Sequence, residues 1–142
     1  MRSVYIPQYE QMSAGSAYIS DEELTIRPGE PLRFSGVGDM LNAAFEPGGI
    51  IVTQPGLYLI CLDVSAAGKS VKLGITSSGI DSPIAEFVGE RVSATLVKRL
   101  PPDVKIGVVN LTGSDVAVRS AYLSVVQLTE YRTGSFVLGN SG

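Results

Sequence analysis

Pro55-Gly56-Leu57-Tyr58-Leu59-Ile60-Cys61-Leu62-Asp63-Val64 carries a single charge, Asp63, in the run that follows its Pro-Gly turn. A β-strand sends alternate side chains to opposite faces. One face here holds Leu57, Leu59, Cys61 and Asp63, and the other Tyr58, Ile60, Leu62 and Val64. A strand with one solvated face alternates apolar with polar residues. This one is apolar on both faces, so each side needs a cover.

The flanking sequence is punctuated by proline and glycine. Upstream, Ala17–Ile19, Glu23–Ile26, Leu32–Phe34 and Ile50–Thr53 read as short strands. Arg27-Pro28-Gly29-Glu30 is a type I or II turn, with proline at its second and glycine at its third position. Gly36 to Phe45 holds the one helix-like patch, Asp39-Met40-Leu41-Asn42-Ala43-Ala44, read as one turn of helix or a loop between an Asp39 cap and Pro47-Gly48-Gly49. Downstream, Val71, Leu73 and Ile75 alternate with Lys72, Gly74 and Thr76, and Val92, Ala94 and Leu96 alternate with Ser93 and Thr95. Pro83–Val88 is a weak strand. Val104–Asn110, Val116–Val118 and Ala121–Leu128 complete the series. Many short strands between Pro/Gly turns define an all-β sandwich or barrel.

The 142 residues fit one domain. A hydrophobic fraction of 44% with 18% charged residues excludes a disordered chain. The net charge is −3, and Lys98–Arg99 is the one adjacent basic pair, so the footprint of a nucleic-acid binder is missing. No run reaches the length of a membrane span. The start lacks the apolar core of a secretory signal. The single cysteine, Cys61, allows no intramolecular disulfide and fits a reducing compartment. The sequence divides into an N-terminal arm (1–15), a β-sandwich (16–128) and a C-terminal tail (129–142).

Three strands are apolar on both faces: Leu57–Val64, Val104–Leu111 and Ala121–Leu128. The expectation is that they share one sheet, whose inner face fills the core. Its outer face would meet a second copy of the protein, or be covered by loops and the two arms.

Gly56-Leu57-Tyr58-Leu59-Ile60 and the late run Ala121-Tyr122-Leu123-Ser124-Val125-Val126-Gln127-Leu128 resemble the third and last core strands of the C1q/TNF-like jelly roll. Val92–Leu100, Pro-Pro-Asp, Val104–Asn110 and Thr-Gly follow the same family's strand–turn–strand pattern. The resemblance covers Ala17 to Leu128 and implies a jelly-roll sandwich of two antiparallel sheets. It also implies a tight homotrimer about an axis lined by the third, sixth and last strands, with which the three doubly apolar strands are equated. Carried over by position, Leu57, Leu59, Cys61, Tyr122, Ser124 and Val126 face that axis. Tyr58, Ile60, Leu62, Leu123 and Val125 then fill the sandwich core. On this register Asp63 sits at the rim of the axis face or pairs with a cation.

No histidine is present, so neither a Ser-His-Asp nor a Cys-His arrangement can be built. Cys61 reads as a small hydrophobe. The acidic run Asp21-Glu22-Glu23, Asp103 and Asp115 lack the ligand density of a calcium loop. The expectation is therefore a non-enzymatic protein with no catalytic residue, cofactor or metal. The family's collagen-like stalk and secretory signal are missing from this sequence. A bare jelly roll with short arms is more similar to a phage structural protein. The expected function is a homotrimeric virion module at a phage tail tip, made in the host cytoplasm. Its expected partners are itself, other tail proteins and a host wall polymer or surface receptor, with neither nucleic acid nor membrane insertion. The alternative is a stand-alone C1q-like module of a spore or cell surface that binds carbohydrate or a surface protein. It would present tyrosines and acidic residues on distal loops such as Gly36–Phe45 or Ser77–Val88.

Overall fold

A computed structural model describes residues 12–20, 23–78 and 83–130. Eleven strands are described: β1 (Ala14–Ile19), β2 (Leu24–Ile26), β3 (Gly36–Leu41), β4 (Ala43–Glu46), β5 (Gly49–Val52), β6 (Gly56–Ala66), β7 (Val71–Ser77), β8 (Ala85–Gly89), β9 (Arg91–Leu100), β10 (Val104–Asn110) and β11 (Val116–Glu130). One sheet runs in the order β3-β1-β11-β6-β9, with β2 pairing on β11; the other runs β4-β5-β10-β7-β8. All the pairings are antiparallel. The strands of the sandwich extend to Ala14 and Glu130; residues 1–11 and 131–142, the bulk of the two arms, lie outside the described residues.

The core lies between the sheets. Tyr58, Ile60, Leu62 and Val64 of β6 and Ala121, Leu123 and Val125 of β11 are buried, opposite Ile50, Val52, Leu73, Ile75, Ile106 and Val108 of the second sheet. Leu57, Leu59, Cys61 and Asp63 alternate with the buried set and are half-buried. A Val or Leu side chain buried in this way contributes about 1.5–3 kcal/mol.

Three expectations need correction. First, Val104–Leu111 does not lie beside Leu57–Val64; it is the central strand of the other sheet, between β5 and β7. Its second apolar face is covered by the chain itself. On that face the Gly48 carbonyl lies over Gly107, and Leu111 and Pro83 close over Gly74, so that a side chain on either glycine would strike its neighbours. The strand flanking β6 opposite β11 is Arg91–Leu100 instead.

Second, Asp39–Ala44 is neither helix nor loop but the end of β3 and the start of β4. Asn42 between them has φ 47°, a left-handed conformation that Asn tolerates. This carries the chain from one sheet to the other. The corner is fastened by the Asn42 carbonyl, which accepts from Ser13 Oγ at 2.7 Å and Thr53 Oγ1 at 2.8 Å. A single helical turn offers too few internal hydrogen bonds to compete with two ladders.

Third, Leu32–Phe34 buries Leu32 and Phe34 without joining a ladder. Pro31 lacks the N–H that a continuous pairing needs. The Leu32 N–H bonds to the Val108 carbonyl, after which Phe34 turns away to Pro47. The Arg27–Glu30 turn is as read, closed by Glu30 N–H to Arg27 carbonyl at 3.0 Å, with Gly29 at φ 80° identifying type II.

A buried polar knot locks the entrance of β6. The Tyr58 hydroxyl donates to the Gln54 carbonyl at 2.5 Å, Gln127 Nε2 donates to the Pro55 carbonyl at 3.3 Å, and Gln127 Oε1 accepts from the Ser13 N–H at 2.8 Å. Burial pushes the Tyr58 phenol above its ordinary range, so it stays a donor. Tyr58→Phe removes that donor and is expected to cost about 1–2 kcal/mol, read as a lower urea midpoint at unchanged m-value.

Candidate functional site

The outer face of the six-stranded sheet is the candidate. β6 pairs with β11 so that Leu59 lies opposite Val126, Cys61 opposite Ser124 and Asp63 opposite Tyr122, with Leu57 opposite Thr129. The structure thereby brings Leu57, Leu59, Cys61, Tyr122, Ser124 and Val126 together on one surface. Tyr122 and Val126 are exposed, and the other four half-buried. Tyr58, Ile60, Leu62, Leu123 and Val125 lie on the opposite, buried side of the same strands.

The registers extend the surface across five strands in rows. The first row is Leu41, Ala14, Val126, Leu59 and Val97, crossing β3, β1, β11, β6 and β9. It is aliphatic throughout. The second is Ser16, Ser124, Cys61 and Thr95, with Gly38 against Ser16 at the β3 end. It is built of small polar residues, and Thr95 Oγ1 donates to Cys61 Sγ at 3.9 Å. The third is Tyr18, Tyr122, Asp63 and Ser93. The Tyr18 ring lies over Gly36, where any Cβ would collide with it. Sequence reasoning missed Leu41, Ala14, Ser16, Tyr18 and Val97. Val97, apolar in the otherwise polar phase of Ser93 and Thr95, was the available signal for β9.

Asp63 is neutralised by Arg91, whose Nη2 lies 3.2 Å from Asp63 Oδ2. Arg91 is exposed and Asp63 half-buried with its carboxylate open to solvent, and such a pair contributes at most about 1 kcal/mol. Asp63→Asn is accordingly expected to move the urea midpoint only slightly; a large shift would show that Asp63 holds the strand end in place.

Elsewhere, an open groove of about 470 Å³ is lined by Pro55, Arg99, Leu100, Pro101 and Pro102. Its walls offer one charged side chain and no nucleophile. Among the described residues, no group of three or more His, Cys, Asp and Glu side chains is placed to hold a metal ion. Asp103 and Asp115 are exposed, Asp21 and Glu22 lie outside the described residues, and Glu23 stands 3.9 Å from Arg119. Gly36–Phe45 is strand rather than distal loop, and neither it nor Ser77–Val88 contains a tyrosine.

No family model and no curated protein sequence matches the chain. Solved structures do. The globular domain of zebrafish complement 1qA aligns with a TM-score of 0.63 at 18% identity, over 84% of this chain and 99% of that one. The Eiger TNF of S. frugiperda aligns with a TM-score of 0.68 at 10% identity, over 85% and 95% respectively. Rabbit GITRL gives 0.59 at 13% identity, over 83% and 97%. At these identities the likeness is one of fold. The chain is an all-β sandwich of the C1q/TNF jelly-roll type.

Proposed function

We propose that the chain is a non-enzymatic structural or adhesion module that assembles as a homotrimer through the outer face of its six-stranded sheet. One observation carries this reading. Among the described residues, the large exposed hydrophobic side chains Tyr18, Val37, Leu41, Val97, Tyr122, Val126 and Leu128 all belong to that sheet, and Val88 alone to the other. Tyr18, Leu41, Val97, Tyr122 and Val126 share its outer face, whereas Val37 stands opposite the buried Ala17, and a concentration of apolar surface on one face marks an interaction site. The order of three is drawn from the resemblance of the Gly56–Val64 and Ala121–Leu128 strands to those that line a three-fold axis in the C1q/TNF family. Leu57, Leu59, Cys61, Tyr122, Ser124 and Val126 are the proposed axis residues.

The proposed setting is a virion tail tip, where the trimer joins other tail proteins and forms part of the host-binding apparatus. A fold built without disulfides, its one thiol half-buried beside Thr95, suits a protein completed in a reducing cytoplasm. Antibody labelling of particles that carry the protein should mark the tail tip, and unlabelled particles would remove this setting.

The stand-alone binding module draws on one feature, the exposed neighbours Tyr18 and Tyr122, which offer two ring faces to a sugar. A monomer whose tyrosine fluorescence responds to wall polymer would select it.

The assembly reading is checked by light scattering behind size exclusion, where the expected mass is three times that of the chain. Leu59→Glu, which sets a carboxylate in the aliphatic row, is expected to give a monomer with unchanged far-ultraviolet circular dichroism. A Leu59→Glu trimer would assign the contact to another face.

A further inference from the structure

We infer that the groove lined by Pro55, Arg99, Leu100, Pro101 and Pro102 receives the N-terminal arm of its own chain, with Tyr9 among the prolines and the Glu10 carboxylate on the Arg99 guanidinium. The inference goes beyond the assembly reading and does not rest on it. At about 470 Å³ the groove has the size of a small-molecule site, so it takes a few side chains rather than a folded partner. Its three prolines carry no N–H, which leaves walls that offer apolar contact and one cation. Among the described residues, Arg27, Lys72, Arg91, Lys105 and Arg119 each meet a carboxylate. Arg99 is exposed and meets none of the described ones.

The arm joins the described structure beside this groove. The Ser13 N–H donates to Gln127 Oε1 at 2.8 Å, Gln127 Nε2 donates to the Pro55 carbonyl at 3.3 Å, and the Gln54 N–H donates to Ser13 Oγ at 3.3 Å. One carboxamide thus ties the end of the arm to the first wall of the groove. Across the sheet, the level of Ser13 runs through Gln127 and Tyr58 to Lys98, the neighbour of Arg99. That is three strand spacings, about 14 Å. Residues 9 and 10 reach about 10–14 Å from Ser13 when extended, and the long Arg99 side chain spans the rest. Chemistry selects this segment. Residues 1–11 hold Tyr5, Ile6, Pro7 and Tyr9, with Glu10 as their one acid. Aromatic rings pack on proline rings, the pairing that proline-rich ligands use with the roles reversed. The C-terminal tail also leaves from this end, since Glu130 pairs with Gly56. The one charged residue among 131–142 is Arg132, which Arg99 would repel.

Cleavage after Glu10 by a glutamate-specific protease, followed on the full chain by mass spectrometry, reads the contact. The bond should be cut about fivefold more slowly than in a free peptide of residues 4–16, the most that an exposed ion pair supplies. Arg99→Ala should remove most of that protection. An Arg99→Ala chain cut no faster than the unsubstituted one would overturn the proposal. Exchanging the charges gives a second reading. With trypsin, Glu10→Lys alone should open a new site, and Glu10→Lys combined with Arg99→Glu should protect it again; failure to restore protection counts against the ion pair. A thiol pair then identifies the occupant. In a Cys61→Ser background, Tyr9→Cys with Pro102→Cys should oxidise to a disulfide within one chain, seen as a faster band on a non-reducing gel. Two chains linked together would give the groove to a neighbour's arm. Linking of Phe136→Cys to Pro102→Cys in preference would give it to the tail. Either result, or no link at all, overturns the assignment, whatever the mass of the assembly.

Discussion

The antiparallel pairing of β6 with β11, from Ala66 opposite Val118 to Gly56 opposite Glu130, is the constraint on which the sandwich depends. Strand periodicity is two, so fixing one pair fixes the face of every other side chain on both strands. Over the fifteen residues of β11 a single phase would not serve. Val116 and Val118 are buried at even positions, whereas Ala121, Leu123 and Val125 are buried at odd ones. The register shift between Val118 and Ser120 changes the phase, leaving Arg119 and Ser120 exposed together. One irregularity of this kind lets a single strand bury residues at both ends. It also explains why the sequence reads as two strands, Val116–Val118 and Ala121–Leu128, where the chain has one.

The fold class was legible because its signals are local. Proline and glycine mark the turns, short alternating runs mark the strands, and neither depends on what lies across the molecule. The errors fell where a distant segment decides the outcome. Asp39–Ala44 has fair helix formers and a plausible cap, but β1 and β5 supply ladders that one isolated turn cannot match. Val104–Leu111 looked like a partner of Leu57–Val64 because both are apolar on two faces. That property records only that each face is covered. In β10 the cover is the Gly48 carbonyl over Gly107 on one stretch and the Leu111–Pro83–Gly74 contact on another. Composition cannot distinguish a covering loop from a covering subunit.

The surface itself was half legible. The phase of β6 and β11 follows from their own sequences. The rows that cross β3, β1 and β9 come from registers between residues far apart in the chain, such as Ala14 with Val126 and Leu59 with Val97. Asp63 illustrates the same limit. In isolation it is a charge on an apolar face; Arg91 answers it from the next strand, 28 residues away. Tyr18 was hidden for another reason, since its neighbour across the ladder is Tyr122 and its platform is Gly36, none of which is adjacent in sequence.

A face meant to bury itself against copies of its own chain has to be apolar enough to associate and polar enough to stay dispersed until it does. On the proposed assembly reading, the row order of the outer face meets both demands. The aliphatic row is one residue deep, and the next row is Ser16, Ser124, Cys61 and Thr95 on β1, β11, β6 and β9, with Gly38 and the exposed Asp39 at the β3 end. An aliphatic face without that interruption would associate more strongly, but it would accept any vertical offset, because every row would match every other. A small polar row among aliphatic ones raises the cost of misaligned partners more than it weakens the aligned one, which is how specificity is gained from a modest loss of affinity. In the proposed assembly the row of Ser16, Ser124, Cys61 and Thr95 would add little adhesion of its own and would disfavour misaligned partners.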